Sequence, residues 1–414
     1  MKKEQYDVVV IGAGPAGAVA AAMLVRKGRK VLILEKMHFP RFSIGESLLP
    51  QCMEFLREAG LEGTVDQHAA SLAFQYKDGA AFYKSGAYTE FDFTKKFSKG
   101  RGTTFQVKRA DFDKLLADGA EKAGAEIRYG HQVNDVDVKV QQPILTVENE
   151  DGVAYQVECK FLLDASGFGR VLPRLLDLET PSNFPIRQSY FTHIKDNIDD
   201  PSFDRNKILI TVHPKHSDIW YWLIPFDDGT ASVGVVGEPE QFNDDYGSND
   251  ELLNAFLRQS PNLEKLLANA TLINPVRTIK GYSANVKRLQ GGNFALLGNA
   301  GEFLDPVFSS GVTIALKSAS LIAPLVDKYL DGEQVDFEAD YSTPLKKGVN
   351  CFKTFVTAWY EGGFQDIIFY QDQDEKIREM ICSILAGYAW DEENPYVAQS
   401  ERRFKVLVDI CRTE

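Results

Sequence analysis

The sequence predicts an α/β fold of the α+β kind: a Rossmann-type nucleotide domain, an inserted antiparallel sheet and a C-terminal helical region. Three observations predict it. A strand, a glycine turn and an alanine-rich helix open the chain. The hydrophobic period then changes from helical to alternating near Asn183, and from about Tyr341 onward the chain reads as helical and aromatic-rich. The boundaries that follow are 1–180 for the first part of a discontinuous nucleotide domain, 181–279 for the sheet that would carry the substrate, 280–335 for the second part of the nucleotide domain, and 336–414 for the helical region.

The opening elements are the most specific. Tyr6 to Ile11 is a short β-branched apolar run feeding into Gly12-Ala13-Gly14-Pro15-Ala16-Gly17, and the alanine-rich stretch to Arg26 follows. Gly12 permits a tight turn, Gly14 lets the backbone approach a pyrophosphate, and Gly17 lets the helix pack closely on the sheet; the helix N-terminus adds amide donors and a positive dipole end. A second apolar run, Val31 to Leu34, ends in Glu35, an acid placed to accept from the ribose hydroxyls of an adenosine. Together these elements predict dinucleotide binding, against the alternative of a glycine-rich turn in an unrelated α/β protein.

Further along, Leu49, Met53, Phe55 and Leu56 give a helix from Leu48 to Ala59 with Gly60 at its C-terminal cap. Ala69 to Phe105 alternates short aromatic stretches with glycine and lysine, which predicts irregular strands and mobile loops. Arg109 opens a helix with Phe112, Leu115, Leu116 and Ala120 on one face, ending near Gly124. Strands are predicted at Glu126–Tyr129, Gln132–Val140 and Leu145–Glu148, and Phe161 to Gly167 returns a buried strand to a turn. Lys207–His213, Ile219–Phe226 and Thr230–Gly237 alternate as antiparallel strands, with Asp227-Asp228-Gly229 as a turn. A helical insertion follows, Asn249 to Ala268, with Leu253, Phe256, Leu263 and Leu267 as its apolar positions. Phe294 to Asn299 is another buried strand, and a helix from about Gly311 runs through Leu316 and Leu321. Phe352, Phe355 and Trp359 stand at i, i+3 and i+7, with Tyr360 adjacent.

Composition narrows the function. In 414 residues with 44% hydrophobic content there is enough apolar side chain for substantial cores, as in an enzyme-sized globular protein. A formal net charge of -13 argues against a nucleic-acid partner, because phosphate binding needs cationic surface. The five cysteines, Cys52, Cys159, Cys351, Cys382 and Cys411, show no metal spacing and predict reduced, mostly buried thiols without a metal site. The N-terminal apolar run is too short for a signal-peptide core, and no 18 apolar residues run uninterrupted. The expectation is a cytoplasmic protein with no transmembrane segment.

Up to about residue 330 the chain resembles the FAD-dependent monooxygenase superfamily, which includes the p-hydroxybenzoate hydroxylase-like and geranylgeranyl reductase enzymes, and within it the flavin-dependent, tryptophan halogenase-like family. The resemblance is carried by Gly12 to Gly17, Glu35, Gly45-Glu46-Ser47-Leu48-Leu49-Pro50, Val107-Lys108-Arg109 with Phe112-Asp113, Asp164-Ala165-Ser166-Gly167, and Leu297-Gly298-Asn299-Ala300 running into Asp305 to Gly311. It implies FAD as cofactor, held by Gly12, Gly14, Pro15, Ala16, Gly17, Glu35, Lys36, Arg41, Ser47, Arg109, Asp164, Asn299, Pro306, Gly311 and Val312.

Trp220-Tyr221-Trp222-Leu223-Ile224-Pro225 is similar to the WxWxIP motif of the halogenases. On a strand, Trp220, Trp222 and Ile224 point to one face, so they would make an apolar wall that keeps organic substrate from the flavin while a small oxidant passes. Two indoles on one strand face equally suit plain core packing. The Asp305 to Gly311 loop resembles the one whose Ser-Gly or Thr-Gly amides hold a halide, with Ser310 and Gly311 as the implied residues; the alternative is that those amides serve only the flavin ring. Phe308 stands where the tryptophan halogenases have glutamate, which points away from tryptophan-type substrates toward phenols, pyrroles or carrier-tethered aromatics. Asn299 replaces the usual aspartate. Tyr76-Lys77-Asp78-Gly79-Ala80-Ala81-Phe82 is similar to the segment holding the essential halogenase lysine, so Lys77 is the implied catalytic group, with Lys84, Lys95 and Lys96 as competitors. The implied reaction takes reduced FAD from a separate flavin reductase, since no second dinucleotide fingerprint appears. With O2 and halide it gives hypohalous acid, which reaches Lys77 and halogenates a small aromatic substrate, free or carrier-tethered. The alternatives are a prenyl-lipid reductase or hydroxylating monooxygenase of the same superfamily, and a flavin-binding scaffold without turnover.

Overall fold

Glu4–Ile11 forms the middle of a parallel sheet, and its residues Val8, Val9 and Val10 are completely buried. The computed structural model describes residues 4–242, 246–372 and 374–413. On one side the first strand pairs in parallel with Val31–Glu35, which in turn pairs with Glu126–Tyr129; on the other it pairs with Ala154–Asp164. Ile144–Asn149 and His131–Asp137 continue the sheet as an antiparallel meander, and Phe294–Leu296 pairs in parallel with the last residues of Ala154–Asp164. The central strands read as unbroken apolar runs because both faces are covered. The helices Arg109–Ala123 and Ser310–Leu330 both pack on the fingerprint helix, Pro15–Val25.

Two glycines set the turn after the first strand. Gly12 has φ +96°, and a Cβ there would lie 2.6 Å from the Ala165 carbonyl oxygen; a Cβ on Gly17 would lie 2.0 Å from the Gly12 carbonyl oxygen. That second clash is with backbone and cannot be relieved by a rotamer. Gly17→Ala is therefore expected to cost about 3 kcal/mol, the upper end for overpacking, read as a lowered denaturant midpoint.

The second sheet has eight strands. Its order is Thr271–Leu272, Gln188–Lys195, Thr230–Gly237, Trp220–Pro225, Lys207–Val212, Gly79–Lys84 and Ala87–Asp92, with Arg277–Lys280 also pairing with Gln188–Lys195. The sheet thus also draws on residues outside the expected 181–279 stretch. Gly79–Lys84 comes from far upstream and pairs in parallel with Lys207–Val212. This corrects the reading of 69–105 as irregular and mobile, because the stretch supplies ordered strands and the buried rings of Phe82, Phe91 and Phe93. The pairing is long-range, so no local pattern announces it.

The expected insertion at 249–268 is present as two helices, Asn249–Arg258 and Pro261–Leu266, because Pro261 starts a new helix at its first turn. Ser310–Leu330 is long and apolar enough to cross a membrane by length and composition, but more than half of it is buried within the fold. Cys52, Cys159, Cys351 and Cys382 are buried thiols. Phe352, Phe355 and Trp359 lie in Thr343–Tyr360 and are buried in the main core.

Candidate active site

At the carboxyl ends of the parallel strands lies a cleft of about 580 Å³, the position where open α/β sheets bind ligands. Gly12, Gly14, Pro15, Ala16, Glu35, Lys36, Arg41 and Arg109 line one part; Ser47, Trp220, Trp222, Ile224, Asn299, Pro306, Gly311 and Val312 line another. The glycine turn, the indole wall and the Asp305–Gly311 loop thus share one cavity, although they lie in different parts of the chain.

Glu35 is oriented by backbone. Its Oε2 accepts from the Ala13 N–H at 2.9 Å and its Oε1 from the Met37 N–H at 2.9 Å. Beside it, two arginines share one carboxylate. Asp113 is completely buried and accepts from Arg109 Nε at 2.7 Å, Arg109 Nη2 at 3.0 Å and Arg41 Nη1 at 3.0 Å, while Arg109 Nη1 also donates to the Ile44 carbonyl at 2.6 Å. One negative charge against two guanidiniums leaves a net positive charge at the cleft, which suits a diphosphate.

Four expected site residues do not line the cleft. Gly17 packs beneath it, as its role in the turn requires. Asp164 is fully buried and turned inward, accepting from the N–H groups of Ser166 at 2.9 Å and Leu172 at 2.7 Å, and burial raises its pKa. It shapes the Ala165–Gly169 turn, which does line the cleft, and does not itself face a cofactor. Ser310 is 1% exposed, and the serine of the Asp305–Gly311 loop found among the cleft-lining residues is Ser309. Ser309 has φ 55° and ψ 24°, the left-handed conformation that non-glycine residues seldom adopt, and it caps Ser310–Leu330. The first-turn N–H groups that follow it include those of Ser310 and Gly311, the two amides expected at an anion site, and they have no intrahelical acceptor.

Lys77 is the fourth. It is completely buried, and its Nζ donates to Ser47 Oγ at 2.7 Å and to the Leu48 carbonyl at 2.8 Å. Ser47 lines the cleft, so the amine stands one hydroxyl behind the cavity wall. Burial lowers its pKa to about 7, opposed only in part by Cys52. Among its competitors, Lys84 donates to Gln365 Oε1 at 3.0 Å and Lys95 is exposed.

Trp220 and Trp222 have ring centroids 6.0 Å apart, and both indoles are tied down. Trp222 Nε1 donates to Ser232 Oγ at 3.1 Å. Trp220 Nε1 donates to Tyr360 Oη at 3.0 Å, Tyr360 Oη donates to Asp305 Oδ2 at 2.9 Å, and Asp305 Oδ1 accepts from the Val307 N–H at 3.0 Å. The end of helix Thr343–Tyr360 therefore braces the wall against the Asp305–Gly311 loop. Burial pushes the Asp305 carboxyl up to about 6. In the sequence Tyr360 stands out only as a phenol ending an otherwise apolar helix face. Phe352, Phe355 and Trp359 are core residues, not cleft lining; Phe308 meets Trp359 edge-on at 5.9 Å. Tyr360→Phe strands the Trp220 N–H and one Asp305 oxygen, and an expected loss of about 2 kcal/mol would be read by thermal unfolding.

A family model described as FAD binding domain matches residues 5–336. Among characterised proteins, a 1H-pyrrole-2-carbonyl-(peptidyl-carrier protein) brominase of Pseudoalteromonas luteoviolacea is 30% identical over 407 residues, covering 94% of this chain and 94% of that protein. The corresponding chlorinase of Pseudomonas fluorescens is 27% identical, covering 99% of this chain and 95% of that protein. A solved flavoprotein/dehydrogenase from Cytophaga hutchinsonii is similar with a TM-score of 0.95 at 41% identity over 99% of each chain. A flavin-dependent brominase gives 0.85 at 27% identity, over 99% of this chain and 100% of its own. The chain binds FAD, and the cleft fits it: glycines without room for a Cβ under the turn, a positively charged arginine pair, and apolar walls at the other part.

Proposed function

Because this chain belongs to the flavin-dependent halogenase family of FAD-dependent oxidoreductases, we propose that it halogenates an electron-rich aromatic of phenol or pyrrole type. The observation that carries this reading is the single cavity joining fingerprint, indole wall and anion loop, with a buried amine one hydroxyl behind it. FAD, reduced by a separate reductase, supplies the reaction with O2. Gly14, Pro15, Glu35, Arg41 and Arg109 hold the dinucleotide; the amides after Ser309 hold halide; Trp220, Trp222 and Ile224 exclude water and organic substrate; and Lys77 receives the hypohalous acid and directs it to the ring.

Two things favour a pyrrole or phenol over an indole. Phe308 occupies the place of the glutamate found in tryptophan halogenases, and an apolar ring neither orients a cation nor takes a proton. The brominase and chlorinase relatives are named for pyrrole carried on a peptidyl-carrier protein, which supports a carrier-tethered substrate. A cytoplasmic location belongs to the same proposal, since that compartment supplies reduced flavin and keeps thiols reduced. The test supplies reduced FAD, O2 and bromide or chloride with pyrrolyl-carrier and free phenol substrates, and follows product mass. Halide-dependent gain of one halogen supports the reading. An oxygenated or reduced product formed without regard to halide assigns the chain to the monooxygenase or reductase side of the superfamily, and absence of any turnover makes it a flavin-binding scaffold.

A further inference from the structure

Production of hypohalous acid consumes a proton: FADH2 + O2 + X⁻ + H⁺ gives FAD + HOX + H2O, with two electrons from the flavin and two from the halide reducing O2. A cleft walled by indoles needs a route for that proton. Of the titratable side chains lining it, Glu35 is committed to two backbone amides and Arg41 and Arg109 are bound to Asp113. His131 is bonded to Tyr155 at 2.7 Å. Glu46 differs. It lines the cleft, it is 1% exposed, and while its Oε1 lies 2.7 Å from His193 Nε2, its Oε2 is buried without any hydrogen-bond partner. Burying an unpaired carboxylate oxygen is costly, so such an atom marks a place where a ligand or proton is handled.

His193 connects this carboxylate to the outside. Its side chain is 15% exposed, and its ring is held between Phe42, which lines the cleft, and Phe226, at centroid distances of 5.8 Å and 5.4 Å. The charges around the pair are Arg277, stacked on Phe42; Lys108, over Phe226 and paired with Asp228; Arg109 with Asp113; and Lys77, one residue on through Ser47.

We propose that Glu46 and His193 form a proton relay from solvent into the cleft. The Nε2–H bond of the imidazolium breaks as an O–H bond forms on Glu46. Rotation of the carboxyl then presents that hydrogen to the cleft, where it is consumed in the reaction above, and His193 is reprotonated from water. This rests on the proposed halogenation. The test compares wild type, Glu46→Gln, His193→Gln and the double variant for hypohalous acid formed per reduced FAD oxidised, across pH 5.5–9, beside FAD affinity. Either single variant is expected to lose about a hundredfold in rate and to flatten the pH profile, the double variant to lose no more than the worse single, and Glu46→Asp to recover at least about a tenth of the wild-type rate. Wild-type rates and profile in the variants, or a loss confined to FAD affinity, overturn the relay. Should wild type form no hypohalous acid, the halogenation reading fails separately. The relay is then decided by ¹⁵N-imidazole titration of His193: a midpoint moved by Glu46→Gln and by FAD supports it, and an unmoved one overturns it.

Discussion

Replacing Lys77 with Met is expected to reduce product formation on the order of a thousandfold, the range typical for loss of a positioned catalytic group, while O2 still reoxidises the bound flavin. The physical basis is the site of the amine. Completely buried and held by Ser47 Oγ and the Leu48 carbonyl, it has the ammonium form penalised by desolvation, so its pKa falls to about 7. Both the neutral and charged forms are then available near neutrality, which a solvated lysine does not offer. Met keeps most of the stem volume in the core, so the loss reads out chemistry. A pH series separates the two further. Because the folded pKa is depressed below the ordinary lysine value of 10.5, the amine's favourable contribution is complete above 10.5 and is lost as pH falls toward about 7. The stability of Lys77→Met relative to wild type should therefore improve as pH falls across that window, as measured by denaturant unfolding. A variant that is folded, oxidises flavin and releases hypohalous acid to a solution trap, yet makes no product, places the amine after oxidant formation. Unchanged product formation would remove Lys77 from the site.

How far such a site can be read from residues alone depends on the range of the contacts involved. The glycine turn, Glu35 and the indole strand were legible because a strand, a tight turn and a period-two face are local patterns with local causes. That the Ser309 side chain lines the cleft while that of Ser310 is buried goes with the left-handed backbone at Ser309, which no residue type at that position signals. Asp164 sits in a motif that does build the cleft wall, but as an internal acceptor for the turn. The strands within 79–92 join the second sheet through residues 207–211, and Glu46 meets His193 across 147 positions. These pairings are decided by packing, so a single sequence carries no signal for them beyond the presence of a carboxylate and an imidazole. Tyr360 belongs to the same class, bracing an indole and a carboxylate from two distant segments.

Asp113 holds together the two arginines that line the cleft, and Asp113→Ala should lower stability by about 3–5 kcal/mol, the cost of breaking a buried ion pair from one side. The carboxylate accepts three hydrogen bonds from Arg109 and Arg41, and neither guanidinium has another carboxylate within salt-bridge distance among the described residues. Removing it leaves two cations facing each other beside the cleft. The same change should loosen the Arg109 contact to the Ile44 carbonyl, and with it the segment running into Glu46 and Ser47. FAD affinity is expected to fall with it, because the loss of orientation outweighs the added positive charge: arginines that repel each other no longer converge on one diphosphate. The stability gap between Asp113→Ala and wild type should accordingly widen as FAD is raised, since ligand that binds only the folded state stabilises by mass action, and stabilises the tighter binder more. Asp113→Asn, which keeps acceptor geometry for one arginine, should fall between the two. Denaturant unfolding at several FAD concentrations checks the order, and a gap indifferent to FAD would show that the arginine pair serves the fold and not the cofactor.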